Sequence, residues 1–460
     1  MNKKKWMMAA LALAMTAGCA AQETKTEDKK EETSETEAAA EEIISLAGNQ
    51  ISAPANVQVQ DTTATITRAG TYTITGSLDD GQIVVAADKE ADVNLVLDNV
   101  SITNDTSAPL YIKSAKNVTI TLQGENSLTS NGFTQIEDNE DAVLFSKDDL
   151  ILEGEGSLTI SSAGHGIAGK DDVSITDGSY DITAQAHGIQ AKDSLEIDQG
   201  TFTINSQEDA IHAKNKDDGT GDIHIKNGIF TLNAKEDAIH AESALTIDNG
   251  TFDILQSYEG LEAASLTIND GTFRIVASDD GLNAASDTIS PCDITIAGGN
   301  ISIIAGGDAI DANGSFTMTD GKVNISGPNT GDTSILDYDG TATISKGTFL
   351  AAGASQMAQN FSQDSSQPSI LYCTESHAAG DKITLTDSQG KELVSFTPVN
   401  DYSCILISTE DLKKGETYSL KAGEDSYEIT MDSNTYSNFN GRGQGVMGQP
   451  GGMGPGAMRP

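Results

Sequence analysis

The chain has 460 residues, with 69 acidic against 27 basic side chains and a net charge of −42 when histidine is neutral. Such a surface repels polyanions unless a cation intervenes, which all but excludes a nucleic-acid partner. Only 5% of residues are aromatic, 37% are hydrophobic and 45 are glycine, a composition that disfavours a large mixed α/β core and suits a thin, repetitive one.

Lys3-Lys4-Lys5, the apolar run Trp6–Ala17 and Gly18-Cys19 read as a secretory signal, because a run this short cannot span a bilayer. Thr16-Ala17-Gly18-Cys19 is similar to a bacterial lipobox, with Thr16 where leucine is usual. Residues 1–18 are then a signal peptide, and Cys19 is the lipidated residue that anchors the exported chain to the outer face of the cell membrane. The next stretch, 19–44, is acidic and nearly free of large apolar groups. It has nothing to bury and is expected to be a disordered tether.

Next comes a repeat. His165, His187, Asp209, Asp237, Glu259, Asp280 and Asp308 each open a unit with a small residue and then Ile or Leu, at spacings of 22, 22, 28, 22, 21 and 28 residues. The longer spacings place six-residue insertions in Lys214–Asp222 and Ala285–Asp293. Within a unit, Ile239 and Ala241, Leu245 and Ile247, and Phe252 and Ile254 alternate with other residues around an Asp248-Asn249-Gly250 turn. Three short period-two stretches per unit predict three strands, hence an all-β, right-handed parallel β-helix of about 22 residues per coil over residues 45–353. A glycine turn column (Gly178, Gly200, Gly228, Gly250, Gly271, Gly299, Gly321, Gly347) and an aromatic core column (Tyr180, Phe202, Phe230, Phe252, Phe273) follow from stacking equivalent positions.

Beyond Gly353 the repeat stops. Ile383–Leu385 and Leu393–Phe396 around Ser388-Gln389-Gly390 predict a hairpin in a small β unit, 354–435, that caps the solenoid. Cys373 and Cys404 are either paired or two buried thiols. The segment 436–460 is rich in Gly, Met and Pro and is expected to be a disordered tail.

The most polar column is acidic. Openers Asp209, Asp237, Glu259, Asp280 and Asp308 are preceded in some coils by Glu208, Glu236 or Asp279, and followed three residues later by His212, His240, Glu262, Asn283 and Asp311. Opener and follower should project outward from one bend. Carboxylates stacked about 4.8 Å apart repel one another and call for a cation. Hard oxygen donors favour calcium, with zinc or copper open at His212 with His240 and at His165 with His187.

The units EDAIHA (Glu208–Ala213, Glu236–Ala241), DDGLNA (Asp279–Ala284) and GDAIDA (Gly307–Ala312), together with Ile66–Val85 and Met357–Tyr372, resemble the clostridial carbohydrate-binding β-helix proteins. The resemblance implies a pectate-lyase-like solenoid, several calcium ions, and cell-surface binding of plant polysaccharides such as polygalacturonate and cellulose without established catalysis. This sequence departs from the pattern where His165 and His187 stand as openers and Tyr258 replaces an acid. Two other readings stand beside it. One is a uronate lyase, for which Arg274 is the arginine within the repeats that can serve as base; the other is an adhesin-type, protein-binding solenoid.

Overall fold

The computed structural model describes residues 42–134, 141–215, 221–329 and 331–439. The expected signal peptide, Cys19 and most of the tether and tail lie outside these residues. The described chain is all-β, with no helix among the described residues, and forms a parallel β-solenoid.

Each regular coil contributes one strand to each of three ladders. The first runs through Ile189–Ala191, Ile211–Ala213, Ile239–Ala241, Leu261–Ala263, Leu282–Ala284 and Ile310–Ala312 in unbroken parallel register. The second stacks Leu195, Ile223, Leu245, Leu266, Ile294 and Phe316. The third stacks Tyr180, Phe202, Phe230, Phe252 and Phe273, followed by Ile301, Val323 and Phe349. All of these core side chains are buried. The first coils are less regular: strands Gly70–Leu78 and Asp92–Asn104 pair in parallel and pass into the stack through Asn117–Gln123 and Glu125–Ser130.

Strict register is what turns a sequence repeat into columns. The rings of Phe202, Phe230, Phe252 and Phe273 stack with centroids 4.8, 4.6 and 4.6 Å apart, interplanar angles staying within 4°. The glycine that turns each coil into this ladder is required twice over. Gly250 has φ 136°, and a Cβ there would lie 2.9 Å from the Phe252 ring and 3.0 Å from the carbonyl oxygen of Gly228. Both insertions fall between the first and second ladders, after Ala213 and after Ala284, so they leave the opener bend unchanged.

The last coil strand, Thr348–Gly353, pairs antiparallel with Tyr402–Thr409, which pairs with Ser369–His377. An open solenoid end would expose a row of unpaired backbone groups, and this switch to antiparallel pairing covers it. The expected hairpin is present, with Ile383 opposite Phe396, inside a separate four-stranded sheet. Cys373 and Cys404 sit directly opposite each other and are disulfide-bonded, whereas Cys292 is a buried free thiol. Two expected boundaries are corrected. Strand Glu42–Gly48 starts within the expected tether because Ile44 and Leu46 bury against the first coil, and Thr435–Ser437 extends the cap by pairing with Ser369–Leu371.

Candidate functional site: a polar groove along the opener column

The bend from the third ladder into the first carries the openers. Every opener from His165 to Asp308 except Glu259 caps the next coil, since one atom of its side chain accepts the backbone N–H of the next opener. Asp237 N–H donates to Asp209 Oδ1 (2.8 Å), Glu259 N–H to Asp237 Oδ1 (3.0 Å) and Asp308 N–H to Asp280 Oδ1 (2.6 Å). The column is therefore structural as well as polar. One oxygen of each of these aspartates is committed to the fold, and the other remains for chemistry.

The same rule explains the two histidine openers. His165 Nδ1 accepts the N–H of His187, and His187 Nδ1 accepts the N–H of Asp209, both at 3.1 Å. Acceptance at Nδ1 requires the neutral tautomer with hydrogen on Nε2, and Nε2 of His187 lies 3.2 Å from Glu208 Oε2. Burial, and then the charge of His212, push His187 down to about 3. Because its ordinary value is 6.5, the folded state binds fewer protons than the unfolded one between pH 6.5 and 3. This stability is full above 6.5 and is lost as pH falls through that window. His187→Leu, which leaves the Asp209 N–H unpaired, is expected to cost about 1–3 kcal/mol in urea unfolding at neutral pH. His187→Asn, which restores an acceptor, should recover most of that and flatten the acid dependence.

The followers stand in register on the first ladder: Gln190, His212, His240, Glu262, Asn283, Asp311 and Asp337. Opener and follower meet as their spacing predicts. His212 Nδ1 is 2.5 Å from Asp209 Oδ2, His240 Nδ1 is 3.4 Å from Asp237 Oδ2 and 3.1 Å from Glu262 Oε2, and Asn283 Nδ2 donates to Glu259 Oε2 at 2.8 Å. Asp209, His212, Asp237 and Asn283 are buried at this bend, because stacked neighbours above and below shield each side chain. Glu236 stays exposed on the rim, while Glu208 and Asp279 are half-buried.

Of the lining groups, Gln190 was missed by the sequence reading. Gln190, Lys214, Lys235 and Tyr258 join His187, Glu208, Asp209, His212, Glu236, Asp237 and His240 around a groove of 740 Å³. Asp337 continues the follower column, and Ser334 stands as the next opener, its N–H donating to Asp308 Oδ1. Ser334-Ile335-Leu336-Asp337 keeps the opener-to-follower spacing and was legible as one more unit. Arg274 is not a lining residue. Its guanidinium pairs with Asp253 at 2.9 Å on the exposed outer surface of the third ladder.

Beyond His240 the column becomes a run of oxygen donors, of which Glu262 faces His240. Burial, reinforced by Glu262, pushes Glu259 up to about 8; burial and the charge of Asp308 push Asp280 up to about 8. Burial likewise raises Glu262 to about 7, Asp308 to about 7 and Asp311 to about 6. Two further features mark this stretch. Asn283 Oδ1 is buried without a hydrogen-bond partner. In the neighbouring coil Gly307 stands where others carry an acid, and a Cβ there would lie 2.2 Å from Asp279 Oδ1 and 2.4 Å from Asp280 Oδ1.

A family profile described as carbohydrate-binding domain-containing protein matches residues 60–290 and 257–389, which take in the whole groove. The chain belongs to that family. A family relative from Acetivibrio thermocellus, also described as a carbohydrate-binding domain-containing protein, is 42% identical over 127 residues. That match takes in 26% of this chain and 44% of the relative, so the chain spans less than half of that relative's length. A solved structure described as a polysaccharide lyase-like protein from C. thermocellum, in a gadolinium derivative, aligns with 66% of this chain and 96% of its own at 26% identity, with a TM-score of 0.32.

Proposed function

We propose that the protein binds acidic polysaccharide of the polygalacturonate type at the cell surface, without turning it over, through calcium held by the oxygen-donor coils that continue the column beyond the groove. The observation that carries this reading is the donor set Glu259, Glu262, Asp280, Asn283, Asp308 and Asp311: carboxylates with one amide oxygen, that amide oxygen buried and unpaired. Hard oxygen ligands from side chains of stacked coils fit calcium. Bound there, calcium supplies positive charge that joins protein carboxylates to uronate carboxylates, removing the repulsion that a net charge of −42 otherwise imposes.

The protein's own residues prepare that role. The opener–backbone ladder fixes Asp280 and Asp308, Asn283 donates to Glu259, and Lys214 and Lys235 line the adjoining groove. Arg274, tied to Asp253 away from the groove, is not placed to act as a lyase base. The lipobox-like Thr16–Cys19 supports a lipid-anchored location.

Equilibrium binding of polygalacturonate to the full chain is expected in millimolar calcium, to disappear on chelation, and to be weakened by Asp280→Asn with Asp308→Asn. Binding indifferent to chelator would remove calcium from the reading. Steady accumulation of unsaturated uronide absorbance would replace binding with lyase turnover.

A further inference from the structure

The followers occupy one register column, yet their chemistry changes along it: His212 and His240 in two coils, then Glu262, Asn283 and Asp311. Oxygen donors serve calcium, whereas imidazole nitrogen suits zinc, copper and nickel. We propose that the coils opened by Asp209 and Asp237 form a second, chemically distinct metal site for a borderline divalent transition ion of the zinc class, with Asp209 Oδ2, Asp237 Oδ2, His212 and His240 as ligands.

The commitments of the ladder select this set. Oδ1 of Asp209 and of Asp237 each accept a backbone N–H, which leaves both Oδ2 atoms facing the histidines. His187 is excluded despite lying close by, since its Nδ1 lone pair is taken by the Asp209 N–H and its Nε2 carries hydrogen toward Glu208. His240 Nδ1 lies 3.4 Å from Asp237 Oδ2 and 3.9 Å from Asp209 Oδ2, and His212 Nδ1 lies 2.5 Å from Asp209 Oδ2. Ligands about 2.0–2.1 Å from a tetrahedral zinc ion are about 3.3 Å apart, so these spacings bracket what the ion needs.

A second observation points the same way. His212 is 93% buried and lines the groove, and Asp209, Asp237 and His240 each place a donor atom within 4.8 Å of the others. When a metal takes Nδ1 in place of the hydrogen shared with Asp209, the imidazole carries its proton on Nε2 instead, and the hydrogen bond to Asp209 is replaced by joint ligation of the ion. His212 keeps the same number of protons before and after.

The site does not rest on the carbohydrate reading and fails separately from it. Cobalt(II) is the probe, because tetrahedral cobalt absorbs strongly in the visible and competes with zinc. Titrating the untagged full chain should give these bands at one ion per chain, persisting in excess calcium and bleached by stoichiometric zinc. Displacement of cobalt by millimolar calcium, or weak octahedral bands alone, would overturn the site on the native protein without any variant. His212→Asn with His240→Asn is expected to lower zinc affinity by more than about 100-fold. Asp280→Asn with Asp308→Asn should leave it unchanged, and the reverse pattern would assign the ion to the oxygen-donor coils. A thermal melt of both variants without metal checks that each is folded.

Discussion

Replacing Asp280 and Asp308 together by asparagine is expected to raise the melting temperature of the calcium-free protein at pH 8 and to abolish the further rise that calcium gives the parent. Both carboxyls are held above their ordinary range, at about 8 and about 7, by burial and neighbouring acids. The folded state therefore holds protons that the unfolded state has released. The stability these groups contribute is full below pH 4 and is lost as pH rises toward 8. Asparagine removes the charge and keeps the oxygen that accepts the Asp308 and Ser334 N–H groups, so the ladder survives. In the parent, calcium at 100 times its Kd stabilises by about 2.7 kcal/mol. Calorimetric melts at pH 4 and pH 8, with and without calcium, check this. A variant that is less stable than the parent at pH 8 without calcium would show that the acids are not in conflict.

Phe252→Ala is expected to destabilise by about 3–5 kcal/mol, because the lost ring leaves a cavity in a core one coil thick. Its neighbours Phe230 and Phe273 are both stacked at 4.6 Å, so one substitution breaks two ring contacts. In a solenoid each coil rests only on its neighbours, so the loss should appear as reduced cooperativity as well as a lower midpoint. Urea unfolding followed by far-UV dichroism measures both. A loss below about 1 kcal/mol would mean that the column does not hold the coils together.

Periodic properties of this chain are visible along its sequence, and non-periodic ones are not. The solenoid, its glycine and aromatic columns and the meeting of Asp209 with His212 were legible, because register converts a repeat of about 22 residues into stacked positions. The cap hairpin was legible from its turn residues. The disulfide between Cys373 and Cys404 was not, because antiparallel pairing of distant strands has no local signal. Nor was the exclusion of Arg274 from the groove, since alternation shows that a side chain leaves the core but not which of three outer surfaces it reaches.

The coil, its period, the opener and follower columns and the excess of acid follow from the chain's residues alone. Only the tertiary structure decided what each column member is free to do. Stacking committed one oxygen of Asp209, Asp237, Asp280 and Asp308, and Nδ1 of His165 and His187, to the backbone of the next coil. It buried Asp209 and Asn283 while leaving Glu236 in water. The physical reason is that a one-dimensional repeat specifies which residues are neighbours, whereas hydrogen-bond satisfaction and burial depend on where the atoms of neighbouring coils lie in three dimensions.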